Sequence, residues 1–570
     1  MHLLRRSQEP GSGRCHRAGP LRATLGGFAA LPVGGSRLSL SALVEQFLKL
    51  HAEFHPVDAS FMGLDGHDGR LPPADAGAIE QELSALQELR QEAEKITPGN
   101  SGAQRLEAKM LRAQIRVATQ ELEHRPRYHN PAWYTGETAF GLISLLLPSY
   151  PPRNPDDLRL RLGAIPDFLS SGQQWLANRA IPADWVQRAN LECDAIIRLL
   201  EQGLKLHAFW SDKLESPIRT AIQSVRSFSA SLENHPNANP ACGGEYLEFL
   251  MREAHGLPFG PSEAEELALE GFERYKHELE AMAAELDASR DWREQLSLLE
   301  NDHPALEDVI PMYERWNERA LEAADGAGLV TPAKEYGLSF QTLPEWARSV
   351  AGDLYFLFYR SPPAGRASKG SVYWVFPPGN DVDGYLRGQN LAAIKITHVV
   401  HHGSIGHHTQ NARARASEVR LGQLAGTDCA SGIAMLSGGT MIEGWACYVQ
   451  DLMGEAEGFY TPQERLVLKH AELRNAAMCL ADLRLHRGTW GLEGMRAFYR
   501  DEVGMGGGRV WSETTRNSIY PATRLMYWLG TRAIKNLRRE LDWGKKVFHD
   551  RLLSFGSVPV GWVAGELRSL

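Results

Sequence analysis

Five histidines, His398, His401, His402, His407 and His408, fall within the stretch Thr397–Gln410, THVVHHGSIGHHTQ. Imidazole is the commonest metal ligand among side chains, and neutral rings this close offer several nitrogen donors at the range a zinc-type ion needs. The stretch reads as a metal site before it reads as packing. On a straight helix His398 and His402 form an i, i+4 pair on one face, with His401 beside them. His401 and His407 are six positions apart and share an ion only if the helix breaks between them, which Gly403, Ser404 and Gly406 make tolerable. His401 and His408 return to one face about two turns apart, a long reach for one ion. Spacing alone leaves the ligand pair open.

A carboxylate downstream bears on the choice. In Gly438–Leu452, GGTMIEGWACYVQDL, Glu443 stands among Met441, Ile442, Trp445, Ala446 and Tyr448. A carboxylate in such apolar company must be paired, protonated or bound to metal, because an unpaired buried charge is too costly. Glu443 is a natural third ligand.

These two stretches resemble the active-site segments of the DUF885 family, bacterial proteins regarded as zinc-metallopeptidase-like, whose motifs read roughly H-E-x-x-P-G-H-H-x-Q and E-G-W-A-x-Y. His401, Gly406, His407, His408 and Gln410 match the first; Glu443, Gly444, Trp445, Ala446 and Tyr448 match the second without a gap. The resemblance implies His401, His407 and Glu443 as ligands of zinc or another divalent transition metal. The chain departs from it at His402, where the family has Glu, and at Ile405, where it has Pro. In metallohydrolases that Glu takes a proton from the attacking water, a contribution of about 10²–10⁴-fold. His402 stands in the base position, and it is also placed to join His398 on the metal.

Further matches lie in the C-terminal third. Asp482 and His486, at i, i+4, resemble the family's D-x-x-x-H segment, so His398, His408 and His486 are further candidates for ligand or substrate contact. Glu513, Arg516, Pro521, Tyr527 and Gly530 resemble its E-x-x-R…P-x-x-x-x-x-Y-x-x-G segment. Arg516 would clamp a carboxylate and Tyr527 would donate to a developing oxyanion. The alternative for Arg516 is an i, i+3 ion pair with Glu513.

The elements that must position these residues are mostly helical. Ala76–Ile96 and Gln104–Glu123 are charged and amphipathic, as in an antiparallel helix pair, and His129–Tyr150 is apolar enough to lie inside. Helices are expected at Asp156–Leu176, Ala183–Leu206 and Ser216–Leu232, and Ser262 with Glu265 reads as a capping box opening another. Between Glu335 and Pro378 the segments YGLSFQTL, DLYFLFY and SVYWVFP, separated by turn residues, read as strands. The expected fold is mainly α, metallopeptidase-like, a large helical domain around a deep cleft with a small antiparallel β-sheet beside the histidines.

The chain of 570 residues, 43% hydrophobic and 23% charged, has ample core, no long apolar run and hence no expected membrane span. A net charge of −9 without a basic stripe excludes nucleic acid as the expected partner. Six cysteines without C-x-x-C spacing argue against thiolate ligation and for a reducing, cytoplasmic setting, with export left open. Residues 1–38 are rich in Arg and Gly and lack a periodic apolar face; they read as a disordered leader or a start assigned too far upstream, with 39–570 as the single family-like domain.

The functional expectation is metal-dependent hydrolysis of an amide bond, in a peptide or small-molecule amide. Two rivals follow from Glu→His at the base position: a metal-dependent lyase or non-peptide hydrolase, and a non-catalytic binding protein retaining the fold. Oligomeric state is not legible in the sequence.

Overall fold

The computed structural model describes residues 38–354, 359–429, 432–433 and 435–570, so the expected leader lies outside the described residues except for Leu38. The two charged stretches fold as helices Ala76–Lys95 and Gly102–His124, packed on each other. Each starts on a side-chain cap, Asp75 accepting from the Ala78 N–H (3.1 Å) and Ser101 from the Gln104 N–H (3.2 Å), which satisfies an otherwise orphaned donor. The apolar segment becomes Pro131–Leu146, every residue of which is buried. Helices Pro155–Leu176, Ala183–Glu201 and Glu215–Ser231 follow, the second ending short of Leu206 because a 3₁₀ turn takes Gly203–Leu206.

One expected start is corrected. The helix Pro261–Leu286 begins at Pro261 with Gly260 as its cap residue, and Ser262 makes no cap. Proline pre-set for the first helical position leaves Ser262 one residue inside. Glu265 instead accepts from Arg484 (2.8 Å) and pairs with Arg487.

The sheet is small and mixed. Strands β1 (Gly337–Thr342), β2 (Tyr359–Arg360) and β3 (Gly370–Val375) lie in the order β1-β3-β2. β2 is antiparallel to β3, with Tyr359 opposite Tyr373, but β1 runs parallel to β3, Gly337 opposite Gly370. The antiparallel expectation therefore holds for one pairing of two. A parallel pair needs a crossover connection, and the chain between Thr342 and Gly370 supplies it. Much of DLYFLFY, 355–358, lies outside the described residues.

The C-terminal half carries the site. After a π-helix, Ala393–His401, come α1 (His407–Arg415), α2 (Gly439–Leu452), α3 (Pro462–His486), α4 (Gly507–Ile519) and α5 (Leu525–Leu541). α3 opens on a full capping box: Thr461 Oγ1 accepts from the Glu464 N–H (3.1 Å) and Glu464 from the Thr461 N–H (2.8 Å). Glu464 also pairs with Lys395 of the π-helix at 2.7 Å, joining the two elements. From Asn475 to Leu485 every α3 residue except Arg484 is buried, which places α3 in the middle of a core shared with Pro261–Leu286 and α5. α2 crosses α5 at two glycines: a Cβ on Gly444 would lie 2.7 Å from Gly530 Cα, and one on Gly530 would lie 2.3 Å from Thr440 O. Only glycine lets these backbones approach so closely. Ser39–Leu570 form one unit.

Candidate metal centre

The break required by the histidine spacing is present. The π-helix ends at His401, residues 402–406 turn, and α1 starts at His407. Single π turns cluster at functional sites because the wider turn re-aims side chains; here it sets the His401 and His402 rings edge to face, with centroids 4.7 Å apart. The turn folds back tightly enough that a Cβ on Gly406 would meet His401 O at 1.8 Å and one on Gly403 would meet Val399 O at 2.4 Å. From α2, the Trp445 indole donates to Ile405 O at 3.0 Å and pins the turn to the helix that carries Glu443.

The result is a convergence of donors. One nitrogen each of His401, His402 and His407 lie within 4.8 Å of one another. Glu443 Oε2 stands 3.7 Å from His401 Nε2 and 3.6 Å from His407 Nε2. Donors at about 2.1 Å around a tetrahedral ion are about 3.4 Å apart, so His401, His407 and Glu443 fit a divalent ion of the zinc type with shifts of a few tenths of an ångström. Burial drives the His407 imidazole down to about 3 and His402 to about 4, and holds His401 well below its ordinary range. At neutral pH all three are therefore uncharged with a lone pair available, the state a metal requires. Gln450 lines the same cavity and acts on the His401 imidazole against the effect of burial, while its own amide donates to Ile396 O at 3.2 Å.

His402 is defined by one bond. Its Nδ1 lies 2.9 Å from Thr397 O, and a carbonyl only accepts, so Nδ1 carries the proton and Nε2 the lone pair. That nitrogen is set to accept a proton or to bind an ion. The other candidate histidines are placed differently. His398 Nδ1 meets the Tyr373 hydroxyl at 2.5 Å, and its ring centroid is 6.4 Å from that of His402, outside the group of three.

His408 and His486, the other candidates for ligand or substrate contact, have both ring nitrogens engaged with protein groups. His408 Nε2 donates to Tyr336 O (2.6 Å) and its Nδ1 faces the Tyr359 hydroxyl (3.3 Å), which ties α1 to the sheet. His486 Nε2 donates to Asn517 O (2.9 Å) and Nδ1 accepts from the Cys242 N–H (3.3 Å). Its partner in the motif, Asp482, accepts from the N–H groups of Ala522, Arg524 and Leu525 at 2.8–3.2 Å and caps the start of α5. The pair positions α4 and α5.

Those two helices bring Tyr527 and Arg516 to the cavity that holds the histidines and Glu443, a space of about 650 Å³. The Tyr527 hydroxyl is pushed up by burial and by the charge of Glu443, so it stays protonated and can donate. Arg524 donates to the hydroxyl at 3.2 Å. Arg524 also pairs with Glu513 at 2.8 Å, the role the spacing offered to Arg516, while Arg516 contributes to Glu513 electrostatically. Arg474, Arg524, Gln450 and the structural tie of Trp445 were not singled out by spacing. An arginine on a long helix gives no local signal of facing a cavity. Tyr359 of β2 also lines the cavity.

The family model described as "Bacterial protein of unknown function (DUF885)" matches residues 56–567. The chain belongs to this family. Two solved structures share the DUF885 chain's fold. A candidate lipoprotein of unknown function from Shewanella oneidensis aligns with a TM-score of 0.74 at 17% identity, covering 93% of this chain and all of its own 100%. A candidate lipoprotein from Colwellia psychrerythraea aligns with a TM-score of 0.72 at 16% identity, covering 94% of this chain and 99% of its own. No curated protein matches the chain. Among the described residues, no helix of this DUF885 member is long and apolar enough to cross a membrane.

Proposed function

We propose that the protein is a metal-dependent hydrolase of amide bonds in short peptides or small-molecule amides. The observation that carries this reading is the approach of Glu443 Oε2 to His401 Nε2 and His407 Nε2, 3.7 and 3.6 Å, inside a cavity of a size that suits a small substrate. A zinc-type ion held by His401, His407 and Glu443 would supply Lewis-acid polarisation of the carbonyl and a lowered pKa for the attacking water. His402 Nε2 accepts the proton of that water as the new C–O bond forms. Burial makes a charged His402 costly, so the proton passes on to the leaving amine as the C–N bond breaks. The Tyr527 hydroxyl donates to the carbonyl oxygen as negative charge gathers there.

The departure at His402 favours a second reading, a metal-dependent lyase or a hydrolase of non-peptide bonds. The test is metal content of the purified protein together with turnover of a peptide library. A bound ion with cleavage supports the first reading; a bound ion without cleavage supports the second; absence of any ion after purification and reloading removes both. We expect His402→Glu, which restores the carboxylate of the family motif, to raise peptide turnover with the metal retained. Loss of the metal in that variant would make His402 a ligand. The free cysteines Cys193, Cys242, Cys447 and Cys479 support a reducing, cytoplasmic setting; the solved neighbours are candidate lipoproteins, and fractionation of producing cells decides between the two.

A further inference from the structure

One wall of the same cavity is built from guanidinium groups. Arg474 comes from α3, Arg509 and Arg516 from α4, and Arg524 from the residue that starts α5. All four act on one carboxylate, Glu513. Glu513 is committed to Arg524 at 2.8 Å, with Arg509 at 3.9 Å on the exposed rim. Glu443 lines the same cavity and acts on Arg524, so this wall sets four guanidiniums near two carboxylates in a partly dry space, where a charge without a direct partner is expensive.

Arg474 differs from Arg524 and Arg509 in this wall, which both pair with Glu513. Among the described residues it forms no ion pair, and its Nε is buried without a hydrogen-bond partner. Burial, and next the charge of Arg509, pull its guanidinium down to about 10, in keeping with a cation short of counter-charge. It stays protonated at neutral pH. Arg474 is also beside the metal centre, since its charge acts on His401 and on Cys447, one helical turn beyond Glu443. A structural arginine on a core helix would be expected to find a carboxylate or a carbonyl; this one faces a cavity.

We infer that Arg474, supported by Arg516, binds a carboxylate group of the substrate. This rests on the hydrolase reading and narrows it to acidic substrates. A planar guanidinium takes a carboxylate through two parallel hydrogen bonds, the geometry that a point charge does not offer. Arg474 and the candidate ligands line one cavity of about 650 Å³, so the carboxylate and the scissile amide belong to one small substrate. The carboxylate is either a free C-terminal group or an acidic side chain.

The experiment uses the full chain with its metal content recorded, and calorimetric titration with three probes: acetyl-Ala-Ala as the free acid, acetyl-Ala-Ala amide, and acetyl-Ala-Glu amide. Cleavage of each is followed by mass spectrometry. The expected result is that the free acid, the glutamyl amide or both bind about ten-fold or more tightly than the neutral amide. Which of them does so identifies the source of the carboxylate. Arg474→Gln should collapse that preference to within about two-fold, Arg474→Lys should keep part of it, and metal content should not change. Arg516→Gln, on a separate helix, should reduce the preference and keeps the test decisive if Arg474→Gln does not fold. Equal binding of all three probes by the wild-type chain overturns the inference, as does a preference that survives both glutamine variants. Preference in binding without cleavage would retain the carboxylate site and remove the hydrolase; cleavage without preference would do the reverse.

Discussion

Gly406→Ala tests the geometry of the centre at its tightest point. An added Cβ would start 1.8 Å from His401 O and 2.4 Å from Val400 O, while real Cβ contacts essentially never fall below 3.0 Å, so backbone must move by at least 1.2 Å. The atoms in the way belong to His401, a candidate ligand, and its neighbour, so the displacement passes straight to His401 or His407. Metal–ligand distances tolerate about 0.2 Å. A shift several times larger should cost more than an outer partner does, so metal affinity should fall by over about 100-fold, or about 2.7 kcal/mol. The fold should lose about 1–3 kcal/mol from overpacking. Gly388→Ala is the control, because a Cβ there meets nothing within 4 Å. The assay is zinc affinity by competition with a chelating dye, with circular dichroism and urea unfolding on the same samples. A folded Gly406→Ala protein that binds the ion as the wild type does would refute the argument that a tight turn brings the two histidines together.

Three further outcomes are expected. Gly530→Ala, whose Cβ would lie 2.3 Å from Thr440 O, should destabilise the protein by about 1–3 kcal/mol by forcing α2 and α5 apart, read as a lower urea midpoint. Glu443→Gln should keep the fold and lose the ion, checked by elemental analysis after dialysis, because an amide is a poorer ligand than a carboxylate. Burial holds His255, His470 and His549 near 4, below the ordinary 6.5. Below pH 6.5 the unfolded chain therefore binds protons that the folded one refuses, and stability should drop as pH falls from 6.5 towards 4, by up to about 1.4 kcal/mol per such imidazole per pH unit. Urea midpoints across that range check it; His549→Gln should flatten the slope.

Much of the site was legible because its signals are local. Five imidazoles with two glycines among them announce donors and a break together, and Glu443 stands out as an acid with apolar neighbours on both sides. The break falls at 402–406 as the glycines suggested, and the small sheet lies where turn residues and aromatics alternate. What was not legible depends on partners far along the chain. His408 and His486 look like spare ligands until Tyr336 O and Asn517 O occupy them, and backbone carbonyls leave no mark in a sequence. The i, i+3 spacing offered Arg516 as one partner of Glu513, and it could not show that Arg524, just before α5, also pairs with it at 2.8 Å. The π turn is a matter of period within a short apolar run, and the parallel strand pairing is a matter of chain route; neither has a residue type of its own.

The indole bond from Trp445 to Ile405 has a bearing on how the protein comes into being. It joins segments forty positions apart in the chain, and long-range closures of this kind are made late, once loop entropy has been overcome. A nascent chain that has emerged only as far as the histidines owns three nitrogens but no latch and no carboxylate. If the centre takes an ion as proposed, its capture would wait for α2 to arrive, which would make the centre a product of folding and not its seed.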